Sequence, residues 1–258
     1  MNDKKLKIEA LKENGYQLEF ENVFNLAFDN YKKIALYAGL MIFVFSILMG
    51  ILFSVGIISY LGVAQFTEMM KPENLQAEVM SENIKALLIV ATVIGVALLS
   101  PFYAGLIKMA HSAQKDEEFH VSTVFSYYKA PHFKELVIAA SLIALFSSTI
   151  NSAITYLGIQ YLEILVSTII SFITMLVIPL IIFSDLKATD AITSSIVLVS
   201  KQPLLLIGLY IISSLASLIG IFGCCIGIFF TIPFMYSFYF ATYSQIVGFD
   251  QNTIEEHF

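Results

Sequence analysis

The stretch LLLIGLYIISSLASLIGIFGCCIGIFFTIPFMYSFYFATYSQIVGF, residues 204–249, contains no formally charged side chain. At 1.5 Å per residue, one helix of that length would reach about 69 Å, roughly twice the hydrocarbon core of a bilayer. The block must therefore fold back on itself. Gly220, Gly223 and Gly227 mark the place, since glycine admits the left-handed conformations of a tight helix turn. Two spans result, 204–222 and 226–247. Working outward toward the N-terminus, four further apolar runs occupy 34–61, 86–110, 136–159 and 164–183. Each is long enough for a membrane helix, which needs about 20 apolar residues. The expected fold is all-α: one polytopic membrane domain over 1–258, with six transmembrane helices paired as three hairpins.

Composition agrees. The 258 residues are 58% hydrophobic and 13% charged, with a mean hydropathy of +0.81. Soluble domains carry about 25% charged residues. No basic stripe suits nucleic acid, because Lys4, Lys5, Lys7 and Lys12 are diluted by Glu9 and Glu13. Every basic residue is lysine, so the planar fork that grips phosphate or carboxylate with two bonds is missing. The two cysteines, Cys224 and Cys225, are adjacent and build no disulfide framework; they read as small apolar residues at a turn. The first apolar run begins near Ile34, too far in and too long for a cleavable signal.

Lysine placement sets the orientation. Lys4, Lys5, Lys7, Lys12, Lys32 and Lys33 precede the first span. Lys108, Lys115, Lys129 and Lys134 flank the second loop, and Lys187 and Lys201 flank the fourth. Only Lys71 and Lys85 fall on the other side, in a loop that also holds Glu68, Glu73, Glu78 and Glu82. The expectation is a cell-membrane protein with both termini in the cytoplasm.

An amphipathic segment precedes each hairpin on that same side. Phe20, Val23, Phe24, Ala27 and Tyr31 share one helical face, as do Val121, Val124, Phe125 and Tyr128. Ile192, Ile196 and Val199 form a weaker stripe after Thr189, a candidate N-cap. Such helices lie in the membrane interface or pack on the bundle. Pro101, Pro179 and Pro233 fall one in each even-numbered span and should kink it. Amphipathic segment, span, turn, and span with proline thus suggest an internal repeat.

Residues able to do chemistry are few. His111, His120 and His132 share a loop with Asp116, Glu117, Glu118 and Glu135, but their spacings match no helical ligand pair, so no metal is expected. Lys108 sits at the inner end of its span, where its stem can snorkel. No span carries a carboxylate or histidine at its centre, which counts against an ion-coupled carrier. Ser148, Asn151, Ser152 and Thr155 form a polar stripe on the third span, with Asn151 its most polar member. Interhelical hydrogen bonding accounts for such a stripe, and a substrate-lining face is the alternative. The tyrosines at the inner end of the last span read as an interfacial belt. No nucleophile–base pair, P-loop or Gly-rich phosphate fingerprint occurs, so neither an enzyme nor a cofactor is expected.

Three stretches carry a resemblance: SPFYAGLIK at 100–108, DAITSSIVLVS at 190–200 and FTIPFMY at 230–236. Together they resemble the uncharacterised six-span bacterial membrane proteins of the YciC-like type, and the membrane domain attached to some glycerophosphodiester phosphodiesterases. The resemblance implies an architecture over residues 20–248 and no activity, since those phosphodiesterases keep their catalytic residues in a separate barrel. The expected function is non-enzymatic organisation of membrane lipids or partner proteins. Transport of a small neutral or apolar solute is the alternative, and an intramembrane lipid-modifying enzyme is the remote one. Homo-oligomers or membrane-protein partners are left open.

Overall fold

A computed structural model describes residues 3–71, 82–118, 120–129, 131–159, 161–223 and 226–248. All regular structure among them is helical. The order is α1 (Asp3–Asn14), α2 (Phe20–Leu61), α3 (Val63–Met69), α4 (Glu82–Gln114), α5 (Val121–Val124), α6 (Phe133–Tyr156), α7 (Tyr161–Ile173), α8 (Val177–Ser184), α9 (Ala188–Lys201), α10 (Pro203–Leu218), α11 (Gly227–Thr231) and α12 (Pro233–Val247). Short 3₁₀ turns follow α5 (Ser126–Tyr128) and α10 (Ile219–Phe222). Five segments are long and apolar enough to cross a membrane: Phe20–Leu61, Asn83–Gln114, Phe133–Tyr156, Tyr161–Ser184 and Pro203–Phe222. Their flanks expose Leu48, Leu52, Ile94, Phe146, Ile164 and Leu215, the surface a protein in lipid presents. The chain is an all-α membrane helix bundle.

The sixth expected span, 226–247, differs from the other five. It is divided at Ile232 into α11 and α12, and neither piece is long enough to cross alone. Pro233 opens α12 at its first turn, where a missing N–H costs nothing. Far from facing lipid, α12 is the central element of the bundle, touching α1, α2, α4, α8 and α10. Phe234, Phe238, Phe240 and Tyr243 are buried. The interfacial-belt reading of its inner end is therefore corrected: the Tyr243 hydroxyl pairs with that of Ser184 at 2.7 Å, both inside the protein. A polar tip hydrogen-bonded in the core does the work that interfacial water would do at a membrane surface.

The amphipathic segment 20–31 is no separate helix. It continues unbroken into the first span as the 42-residue α2. Its apolar face packs on α12: Val23 and Ala27 are buried, and Tyr31 meets the Phe234 ring edge-on at 5.4 Å. The Ser237 hydroxyl donates to the Ala27 carbonyl at 2.6 Å. α2 and α4 then run antiparallel in a constant register. Lys33 reaches the Ala113 carbonyl (2.9 Å) and Asp116 (2.5 Å) at the lysine-rich end. Phe45 stacks on Phe102 with 4.1 Å between ring centres, and further on Gly95 makes room for Phe53.

The second amphipathic segment also packs on the bundle. Val124 is fully buried, Phe125 joins the Phe45–Phe102 cluster, and Tyr128 donates to the Leu98 carbonyl at 2.9 Å. Gly105 allows this approach, because a Cβ there would stand 2.0 Å from the Val124 carbonyl oxygen. The third segment, α9, buries Ala188, Ala191, Ser195 and Leu198, and leaves Ile192 and Ile196 on its outer side. Thr189 is not its N-cap. The helix starts one residue earlier, and its first amide, that of Ala188, donates to the Glu135 carboxylate at 2.8 Å. A negative group at a helix N-terminus also complements the helix dipole.

The turn at 219–227 lies where its glycines indicated, for a different reason. Gly223 keeps a negative φ of −87°. Gly220 and Gly227 instead permit backbone contact: a Cβ on Gly220 would lie 2.4 Å from the Gly227 carbonyl. Cys224 and Cys225 lie outside the described residues. The three proline positions do not correspond either. Pro101 is interior to an unbroken helix, Pro179 is the third residue of α8, and Pro233 is the first of α12. The three prolines thus occupy different local settings.

Candidate functional site: cavities around the interrupted fourth span

The six expected site residues divide into three groups. Asn151 and Ser148 lie on α6, where Asn151 Nδ2 donates to Ser167 Oγ of α7 at 3.0 Å, and the Ser148 carbonyl accepts from Ser152. One turn outward, Thr155 bonds to Glu163, so the polar stripe holds the second hairpin together. Lys108 is half-buried, with Nζ 3.1 Å from His111 Nδ1 on the same helix. The prolines are all buried. At Pro101 the ring removes the amide that would reach Ala97, and the Ser100 hydroxyl takes that carbonyl at 2.8 Å. The loop histidines go to separate places: His111 stacks on Phe183, and His132 Nε2 lies 2.8 Å from Asp185. Among the described residues, no three His, Cys, Asp or Glu side chains converge as a metal site would require.

Pro179 acts upstream of itself, where its ring leaves no room for a regular turn. The fourth span breaks at Thr174–Leu176, between α7 and α8. Val177 bonds back to the Thr174 carbonyl, a tighter 3₁₀ pairing that leaves Ile173 without its helical partner. Ser195 on α9 repairs the break, donating to the Ile173 carbonyl (2.8 Å) and accepting from the Leu176 amide (3.2 Å).

This break and the Ser100–Pro101 step face each other across a cavity of about 240 Å³. α4 contributes Ser100 and Tyr103, α6 Leu136, Ala139 and Ile143, the broken span Ser171, Thr174 and Ile178, and α12 Tyr239. The wall is apolar apart from hydroxyl groups, and no lining residue carries a charge at neutral pH. Asn151 borders a second, open recess of about 490 Å³ with Glu163, Ser167, Thr168, Ser171 and Tyr210. Ser171 lines both spaces, and its Oγ accepts a 3.0 Å bond from the Tyr210 hydroxyl. A third space, of about 250 Å³, is a groove between α6, α7 and α9. It is lined by Leu142, Ile143, Phe146, Ile170, Ile173, Thr174, Ile192 and Ile196, so the outward isoleucines of α9 form one of its walls.

None of the six expected residues lines the cavity itself: Pro101 and Pro179 adjoin it through Ser100 and Ile178, and Asn151 lies only on the outer recess. Sequence reading missed Ser100, Tyr103, Ser171, Thr174 and Tyr239. A signal for two of them existed: Glu163, Ser167, Ser171 and Thr174 recur at intervals of four, four and three, a polar line along one face of an otherwise apolar span. In comparisons with family models, curated proteins and solved structures, nothing matches this chain.

Proposed function

We propose that this membrane protein is non-enzymatic and organises membrane lipid, holding an acyl chain between its second hairpin and α9. One observation carries the reading. The groove at Leu142, Phe146, Ile170, Ile173, Ile192 and Ile196 offers an uncharged, apolar channel at the edge of the bundle. An acyl chain in the bilayer is already out of water, so its retention there rests on close packing against these side chains. The YciC-like resemblance supplies the architecture of this proposal, and the lysine asymmetry its orientation in the cytoplasmic membrane, with both termini inside. Native mass spectrometry of protein extracted with its lipids is the test. Retained lipid that is lost when Ile192 and Ile196 are replaced by serine supports the reading, and a lipid-free protein refutes it.

A second reading, transport of a small neutral solute, draws on the recess at Asn151 and on Ser171, which borders both that recess and the cavity. Flux of neutral solutes into vesicles carrying the protein separates the two.

A further inference from the structure

We infer that the lipid held in the groove is uncharged and hydroxyl-headed, an acylglycerol with at least one free hydroxyl, whose head occupies the cavity beside Tyr103. This rests on the lipid reading above and adds the class of lipid.

The first support is continuity. Ile143 and Thr174 line both the cavity and the groove, so a molecule bridging them crosses only that shared wall. The second is direction. On α6 the cavity touches Leu136 to Ile143 and the groove Leu142 to Phe146; on the broken span the cavity reaches Ile181 and the groove stops at Thr174. Both comparisons put the cavity nearer the end of the bundle that holds Phe133 and Ser184, and the groove deeper along the spans. A lipid of the leaflet at that end lies head and tail in that same sense.

The third support is chemical. A phosphodiester would need a counter-charge, because burying an unpaired charge is far costlier than burying a hydrogen-bonded hydroxyl. The cavity lining contains none; Lys108, two helical turns beyond Ser100, is placed against His111 instead. Each lining hydroxyl has one proton and two lone pairs. Ser100 spends its proton on Ala97 and Thr174 on Ile170, so both present only acceptor capacity to the cavity. Tyr103 makes no hydrogen bond among the described residues and can donate or accept. Ser100 and Thr174 therefore favour an occupant with a donor of its own, which a free hydroxyl supplies and a fully esterified or hydrocarbon head does not.

The test uses the full chain in detergent, offered 1,2-dioleoylglycerol, phosphatidylethanolamine, phosphatidylglycerol or free glycerol, read by native mass spectrometry and thermal shift. Dioleoylglycerol should be retained and raise the melting temperature. Tyr103→Phe, which breaks no internal hydrogen bond, should weaken that retention about threefold to tenfold, the effect of one hydrogen bond. Asn151→Ala, in the outer recess, should leave it unchanged. Retention of phospholipid in preference to dioleoylglycerol overturns the head-group assignment and leaves the lipid reading standing. Binding of glycerol alone at equal affinity overturns it in favour of a soluble solute, and binding of nothing removes both. Equal retention by wild type and Tyr103→Phe also overturns it.

Discussion

Ser195 of α9 completes the backbone of the fourth span by hydrogen-bonding the Ile173 carbonyl across 2.8 Å. One fully buried hydroxyl thereby serves an orphaned acceptor and, through Leu176, an orphaned donor. A helix interrupted inside a membrane protein needs such partners, since lipid offers none. The break, and with it the cavity wall at Thr174, is held open by a residue from a different helix.

Ser195→Ala should therefore destabilise the protein by about 1–3 kcal/mol, the cost of leaving buried backbone groups unpaired. Ser200→Ala removes an exposed hydroxyl from the same helix, one bonded only to the Ile196 carbonyl, and should cost under about 0.5 kcal/mol. Thermal unfolding of the two variants in detergent checks the difference. Equal melting temperatures would show that Ser195 is not the element holding the break.

Gly105→Ala tests the seating of the second amphipathic segment. The new methyl group would collide with backbone, the Val124 carbonyl at 2.0 Å, so no side-chain rotation relieves it. The segment 121–128 must move off α4, separating Phe125 from Phe45 and Phe102, with a loss of about 1–3 kcal/mol. Gly208→Ala meets nothing within 4 Å and should be neutral or slightly stabilising. Cysteine accessibility at position 124 reports the displacement directly.

Asn151→Ala should cost only about 0.6–1.7 kcal/mol, the measured range for polar contacts between membrane helices. Its partner Ser167 keeps access to the open recess, so no buried group is stranded. A much larger fall in melting temperature would mean that the hairpin depends on this pair. Loss of solute flux at unchanged stability would instead favour the transport reading.

Tyr16, in the link between α1 and α2, donates to the Leu198 carbonyl at 2.7 Å, and burial pushes its phenol well above the usual value. A phenol whose folded pKa is raised stabilises the docked state fully below its free pKa of about 10. That contribution fades as pH rises beyond 10, where the undocked phenol ionises and the docked one stays neutral. α1 should accordingly detach more readily in strong alkali. Tyr16→Phe should weaken docking at neutral pH and flatten the alkaline dependence, as read by proteolysis of the α1–α2 link between pH 8 and 11.

Much of this architecture was legible in the sequence, and the limits have a physical origin. Runs such as 34–61 and 86–110 name membrane helices because length and the absence of charge are local properties. The charge-free block 204–249 had to fold back on length alone, and it does so at Gly220–Gly227. What hydropathy does not encode is which apolar face meets protein and which meets lipid, since both surroundings are equally greasy. For that reason α12, read as one span among six, proved to be the buried centre, and Tyr243, read as a belt residue, proved to be bonded to Ser184.

Sequence by itself thus determined an all-helical membrane protein, the number of its long apolar helices to within one, and the side on which lysines gather. Only the tertiary structure decided the packing of the amphipathic segments, the break at Thr174–Leu176 and the cavity beside it. Ser100, Ser171 and Tyr239 are remote in the chain and share a wall because four helices bring them there. Local periodicity fixes where each helix runs, and the fit between helices fixes what lies between them.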